Sequence, residues 1–108
     1  MYILSCICTP HPGMEAECQA AAQELLDGAR DHAGVISYMW AADENGALIG
    51  IEVQESEESM LNHIALNDFS RMAAASTVSD IVLIGPEPSQ KVRDVLAMFG
   101  DYKVYVSG

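Results

Sequence analysis

The chain has 108 residues, half of them hydrophobic, with sixteen acidic side chains against five basic ones and a formal charge of −11. That balance excludes a binder of nucleic-acid backbones, which needs clustered Lys and Arg, and an adhesive for anionic membranes. A single domain, 1–108, can bury a core at this length but has little surplus to leave apolar sheet surface in water.

Tyr2 to Thr9 is a nearly continuous apolar run, the pattern of a central strand buried on both faces. Pro10-His11-Pro12-Gly13 ends it. Cys6 and Cys8 share one face of this strand as small hydrophobes, and with Cys18 they form no disulfide framework. From Met14 to Ala33, apolar residues recur at helical spacing through Cys18, Ala21, Ala22, Leu25 and Ala29. His32 suits the negative end of that helix, and Gly34 supplies its C′ residue.

Two β-rich runs follow, Val35–Ala42 and Ala47–Gln54, around Asp43-Glu44-Asn45-Gly46. Asn-Gly between alternating apolar runs is a hairpin signal, because both central residues of a type I′ turn need positive φ. A loop of two or of four residues places Ile36, Tyr38, Trp40, Ile49, Ile51 and Val53 on one dry face. Val35, Ser37, Met39, Ala41, Leu48, Gly50, Glu52 and Gln54 then share the opposite, mixed face. A three-residue loop would break this agreement.

Ser56 caps a second helix running to about Ala75, with His63 and Asn67 side by side four residues apart. Thr77–Ile84 reads as a strand, and Gly85-Pro86-Glu87-Pro88 as a rigid connector. Ser89 opens a third helix with a seam of Val92, Val95, Leu96 and Phe99; Gly100 ends it, and Tyr102–Val106 forms a last strand. The order is βαββαβ with an added αβ, which closes as a ferredoxin-like antiparallel α+β sheet with helices on one face. The mixed face lacks a cover within the chain, so the expected partner is a second copy, sheet against sheet, in a homodimer. Glu52 on that face would then fix the dimer.

No CxxC or HxxxH spacing appears, so no metal site is expected; no other cofactor is expected either. Met1-Tyr2-Ile3 lacks the basic start of a signal peptide, and no apolar run approaches the ~20 residues that span a bilayer. The expected setting is cytoplasmic.

GVISYMW from Gly34, a turn, a strand carrying Glu52 and a capped helix bearing His63 resemble the antibiotic biosynthesis monooxygenase-like family of dimeric α+β barrels. There a pattern like G-x-L-S-Y-E-W leads to E-x-Y-x-D-S and a helix with an early His. This sequence departs from it at Met39, Gln54 and Ser56. The resemblance implies a ferredoxin-like homodimer and, in some members, oxygenation without metal or flavin.

His63 is the candidate catalytic base, or else a helix histidine bonded to a neighbouring carboxylate or carbonyl. Asn67 orients a ligand carbonyl or faces solvent. Tyr38, Trp40, Ile51 and Phe69 complete the expected ligand wall. Two function classes stand. One is a binding protein for an apolar small molecule, such as an aromatic or fatty acyl ligand; the other is a cofactor-independent monooxygenase of an aromatic or quinol-like substrate.

Overall fold

A computed structural model describes residues 1–107. In chain order it comprises β1 (Tyr2–Pro10), α1 (Glu15–Gly28), β2 (Val35–Ala42), β3 (Leu48–Gln54), α2 (Glu57–Leu66), α3 (Ser70–Ala75), β4 (Ser76–Gly85), α4 (Gln90–Ala97) and β5 (Tyr102–Val106). The sheet order is β2-β3-β1-β4-β5. Its first four strands pair antiparallel, the ferredoxin-like arrangement expected from the sequence. β5 joins β4 in parallel, reached through α4, so the sheet as a whole is mixed. Among the described residues no helix is long and apolar enough to cross a membrane.

The expected hairpin forms, but its register differs from the expected one. Asp43 and Ala47 close a loop of three residues, with Asp43 N–H donating to Ala47 O at 2.8 Å and Gly46 N–H to Asp43 O at 3.1 Å. The Asp43 carboxylate accepts the N–H groups of Asn45 and Ala47 at 2.8 and 3.0 Å. Gly46 sits at φ +87°, so the loop is a type I turn closed by a left-handed glycine, not the two-residue turn. An odd loop shifts β3 by one residue and exchanges its faces. Trp40 now stands opposite Gly50 and Tyr38 opposite Glu52, while Met39 faces Ile51. Burial alternates accordingly: Leu48, Gly50, Glu52 and Gln54 are buried under the helices, and Ile49, Ile51 and Val53 are half-exposed on the open face. Ile36, at an irregularity in the β2 pairing, is exposed and does not join Tyr38 and Trp40.

The second predicted helix is two. α2 stops at Leu66, Asn67 turns extended, and the Asp68 carboxylate accepts the N–H and hydroxyl of Ser70 at 3.0 and 2.7 Å. Short polar side chains here offer the backbone a local alternative to helix. α1 also ends earlier than expected, at Gly28, and the turn after it carries His32 inward toward α2.

Two apolar cores result. Cys8, Cys18, Leu25, Leu48 and Met72 gather under α1 and α3, while Tyr2, Met60, Leu83, Val92 and Leu96 gather under α2 and α4. Cys6 and Val78 touch both. The seam between the cores is where packing is incomplete.

Candidate functional site

A cavity of about 90 Å³ opens at that seam. Its floor is the sheet, from Leu4, Cys6, Tyr38, Trp40, Gly50 and Glu52; His63, Asn67, Phe69 and Phe99 stand among the residues above. The volume is below the ~300–1,000 Å³ of drug-sized pockets, so it admits a single ring or one end of a larger ligand. Trp40 stacks on Phe69 with centroids 6.3 Å apart, and Phe69 meets Phe99 edge-on at 5.8 Å.

Polar groups converge on one wall. His63 is 2% exposed, and its Nε2 lies 3.0 Å from Glu52 Oε2. Its Nδ1 lies 2.8 Å from Nδ1 of His32. A buried carboxylate must be paired or hydrated, and His63 is the partner of Glu52. Behind Glu52, Gln54 Nε2 is 3.5 Å from Oε1, and the Ser59 hydroxyl holds Gln54 by donating to its carbonyl at 2.9 Å. Ser59 belongs to the capping box that starts α2, so the helix entrance and the second layer behind the carboxylate are one structure.

Tyr38 forms the other polar point. Its hydroxyl oxygen accepts Trp40 Nε1–H at 2.9 Å and an Asn67 Nδ2–H at 3.2 Å. Both lone pairs are engaged, and among the described residues no protein acceptor takes the hydroxyl's own proton. Burial, more than any other cause, pushes the Tyr38 pKa up to about 12, so the proton stays on at neutral pH. Asn67 Nδ2 also lies 3.4 Å from His63 Nε2. Contact with Cys8, then burial, raises the Cys6 pKa, leaving it a poor nucleophile.

Tyr38, Trp40, His63, Asn67 and Phe69 are thus brought together as the sequence suggests. Ile51 is not among them: the register places it on the open face, opposite Met39 and Ser5. Glu52 makes the reverse journey, from the expected dimer face into the site. His32 and Phe99 were also missed as site residues. The signal for Glu52 was present in Asp43 and Gly46, three apart, the favoured ends of a type I turn. Nothing in the sequence signals the meeting of His32 with His63, which depends on the length of the turn after α1. Among the described residues no three His, Cys, Asp or Glu side chains converge as a metal site.

No family model matches the sequence, and no curated protein matches it. Solved structures match in fold. MupZ from Pseudomonas fluorescens aligns with a TM-score of 0.85 at 14% identity, over 99% of this chain and 89% of that one. SnoaB from Streptomyces nogalater, a cofactor-independent oxygenase, aligns at 0.68 with 15% identity, over 82% of this chain and 94% of its own. An antibiotic biosynthesis monooxygenase aligns at 0.68 with 19% identity, over 82% of this chain and 100% of that one. At such identities the likeness speaks for architecture: this chain has the α+β fold of the antibiotic biosynthesis monooxygenases.

Proposed function

We propose that the protein is a small-molecule enzyme that deprotonates an aromatic or quinol-like substrate in the seam cavity and lets the resulting anion react with dioxygen. The buried Glu52–His63 pair, 3.0 Å apart on the wall of an otherwise apolar cavity, carries this reading. Apolar residues of similar volume would stabilise the fold as well or better than a buried ionisable pair, so stability alone does not account for it. The fold shared with SnoaB, a cofactor-independent oxygenase, supports the reaction type.

In this scheme the Glu52–His63 pair accepts a phenolic proton, and the Tyr38 O–H donates to the substrate oxygen as charge develops there. The phenolate transfers one electron to dioxygen, and the radical pair joins carbon to oxygen. The base returns its proton to the peroxide. Loss of the proton on the same carbon breaks the O–O bond, leaving a carbonyl and releasing water. One dioxygen atom enters the product and the other leaves as water, with all four electrons drawn from the substrate. The chain's contribution is orientation, a dry cavity and a placed base.

Oxygen uptake with single-ring phenols and hydroquinones tests this. Wild type consumes oxygen and incorporates one labelled atom, and Glu52→Gln and His63→Ala lose about 10²–10⁴-fold, the usual worth of a placed base. Absence of uptake by wild type with all of them would overturn the oxygenase reading. The aromatic lining favours a second reading, a holder of an apolar ring-bearing ligand without chemistry. Native mass spectrometry of the purified protein would then show a retained small molecule.

The working unit in this proposal is a homodimer. Ile3, Ile7, Ile49, Ile51, Val53 and Met39 lie on the sheet face away from the helices, and Met39 is 51% exposed. The register found makes this face more apolar than the sequence suggested, because Glu52 and Gln54 have left it. A second copy covering ~800 Å² per subunit would form an interface of ordinary size.

A further inference from the structure

We propose that His32 is the outer station of a two-imidazole proton relay joining the Glu52–His63 pair to solvent. The proposal rests on the reading of that pair as a base, and it adds a positioning and proton-carrying residue.

The geometry comes first. Nδ1 of His32 and Nδ1 of His63 are 2.8 Å apart, and only one proton fits between them. The two rings must therefore hold complementary tautomers. While Glu52 is ionised, it keeps the His63 proton on Nε2, and His63 Nδ1 is an acceptor. His32 is then the donor, through Nδ1–H. The rings meet edge-on, centroids 5.0 Å apart at 70°.

The two ends of this chain face different media. Glu52 and His63 line the largely apolar seam cavity. His32 is partly exposed and lines a separate, more open groove with Leu26, Arg30, Val35 and Ser37; Tyr38 lines both spaces and divides them. Among the described residues no protein hydrogen bond reaches His32 Nε2. The charged and titratable groups around His32 are Arg30 and Asp31 on its own turn, Tyr38 from β2 and His63 from α2. Burial, and after it the His63 ring, lower the His32 pKa, so this ring passes a proton to water instead of storing it.

The transfer balances. A proton from water binds His32 Nε2, the shared proton moves from His32 Nδ1 to His63 Nδ1, and the His63 Nε2 proton moves to Glu52. One proton enters at the groove and one emerges on the carboxyl facing the cavity, with each imidazole exchanging its tautomer. The reverse sequence starts from these exchanged tautomers, moves the proton from the Glu52 carboxyl out to water at His32 Nε2 and restores the resting tautomers. His63 is 2% exposed, so this route is how the pair equilibrates its proton with solvent between turnovers.

Histidine-selective NMR tests the relay without any substrate. In wild type His63 is expected as the Nε2–H tautomer and His32 as Nδ1–H. In His32→Gln and His32→Phe, exchange of the His63 ring proton with water slows about tenfold or more, because without a relay it waits for local opening of the fold. Added free imidazole restores the exchange in His32→Ala, which a purely structural role would not produce. Unchanged exchange in His32→Gln and His32→Phe, or Nε2–H on both wild-type rings, would overturn the relay. A working relay in a protein that consumes no oxygen with any phenol would remove the oxygenase reading and leave the relay standing.

Discussion

Trp40 lies flat across Gly50, its cross-strand partner, with ring carbons 2.6–2.7 Å from where a β-carbon at position 50 would stand. The indole therefore occupies the volume of a missing side chain and becomes part of the cavity floor. Gly50→Ala forces the ring off the sheet, against Phe69 on its other side. Overpacking of this kind costs about 1–3 kcal/mol, read as a lower denaturation midpoint. Trp40 is the sole tryptophan, so a change in its emission accompanies the loss and locates it. An unchanged midpoint and spectrum would mean that the ring does not rest there.

The same pair shows how far the sequence can be read. Both strands of the hairpin, their apolar alternation and the turn between them are legible from residues 35 to 54. Whether the loop holds an even or an odd number of residues is signalled both ways, by Asn45-Gly46 for two and by Asp43 with Gly46 for three, and the Asp43 carboxylate's bonds to the backbone decide for three. That single choice moves Glu52 into the site and Ile51 out of it. The adjacency of His63 and Asn67 follows from helical spacing, although Asn67 in fact ends α2. The contact of His32 with His63, 31 residues apart, follows only from tertiary packing.

Glu52 separates a functional from a structural reading of the dyad. Glu52→Gln keeps an acceptor for His63 Nε2–H, so stability is expected to stay within about 1 kcal/mol of wild type. The double substitution Glu52→Leu with His63→Leu removes both ionisable groups and is expected to be as stable as wild type or more so, by up to about 4 kcal/mol. Single removal of Glu52 by Leu leaves a buried donor unsatisfied and costs about 1–3 kcal/mol. Chemical denaturation of the three variants checks the ordering. A double variant far below wild type would make the pair a structural element.

Tyr38 predicts an alkaline limb. Its pKa in the folded chain is about 12, against an ordinary value of 10.0, with burial as the leading cause. The folded state thus holds a proton that the unfolded state has already lost. The stability from this group is complete below pH 10.0 and disappears as pH climbs through about 12. Tyr2, also raised by burial, contributes in the same direction. Tyr38→Phe flattens the limb in part and removes a late-titrating phenol from the absorbance titration. An alkaline limb and a titration unchanged by Tyr38→Phe would contradict the closed environment around that hydroxyl.

Ile51, at the middle of the open face between Met39 and Ser5, is the position from which to test the second copy. In the proposed dimer Ile51→Asp buries two unpaired carboxylates against each other, a cost no rearrangement of a flat sheet surface relieves. Light scattering after size exclusion is expected to show a dimer for wild type and a monomer for Ile51→Asp. Because each chain carries −11, the subunits repel at long range, and salt screens that repulsion with a Debye length of about 10 Å at 0.1 M. Dimer dissociation should therefore weaken as salt rises, the reverse of an interface held by ion pairs. Dissociation that increases with salt would place charged contacts, not apolar strands, between the two copies; a wild-type monomer at micromolar concentration would end the dimer proposal itself.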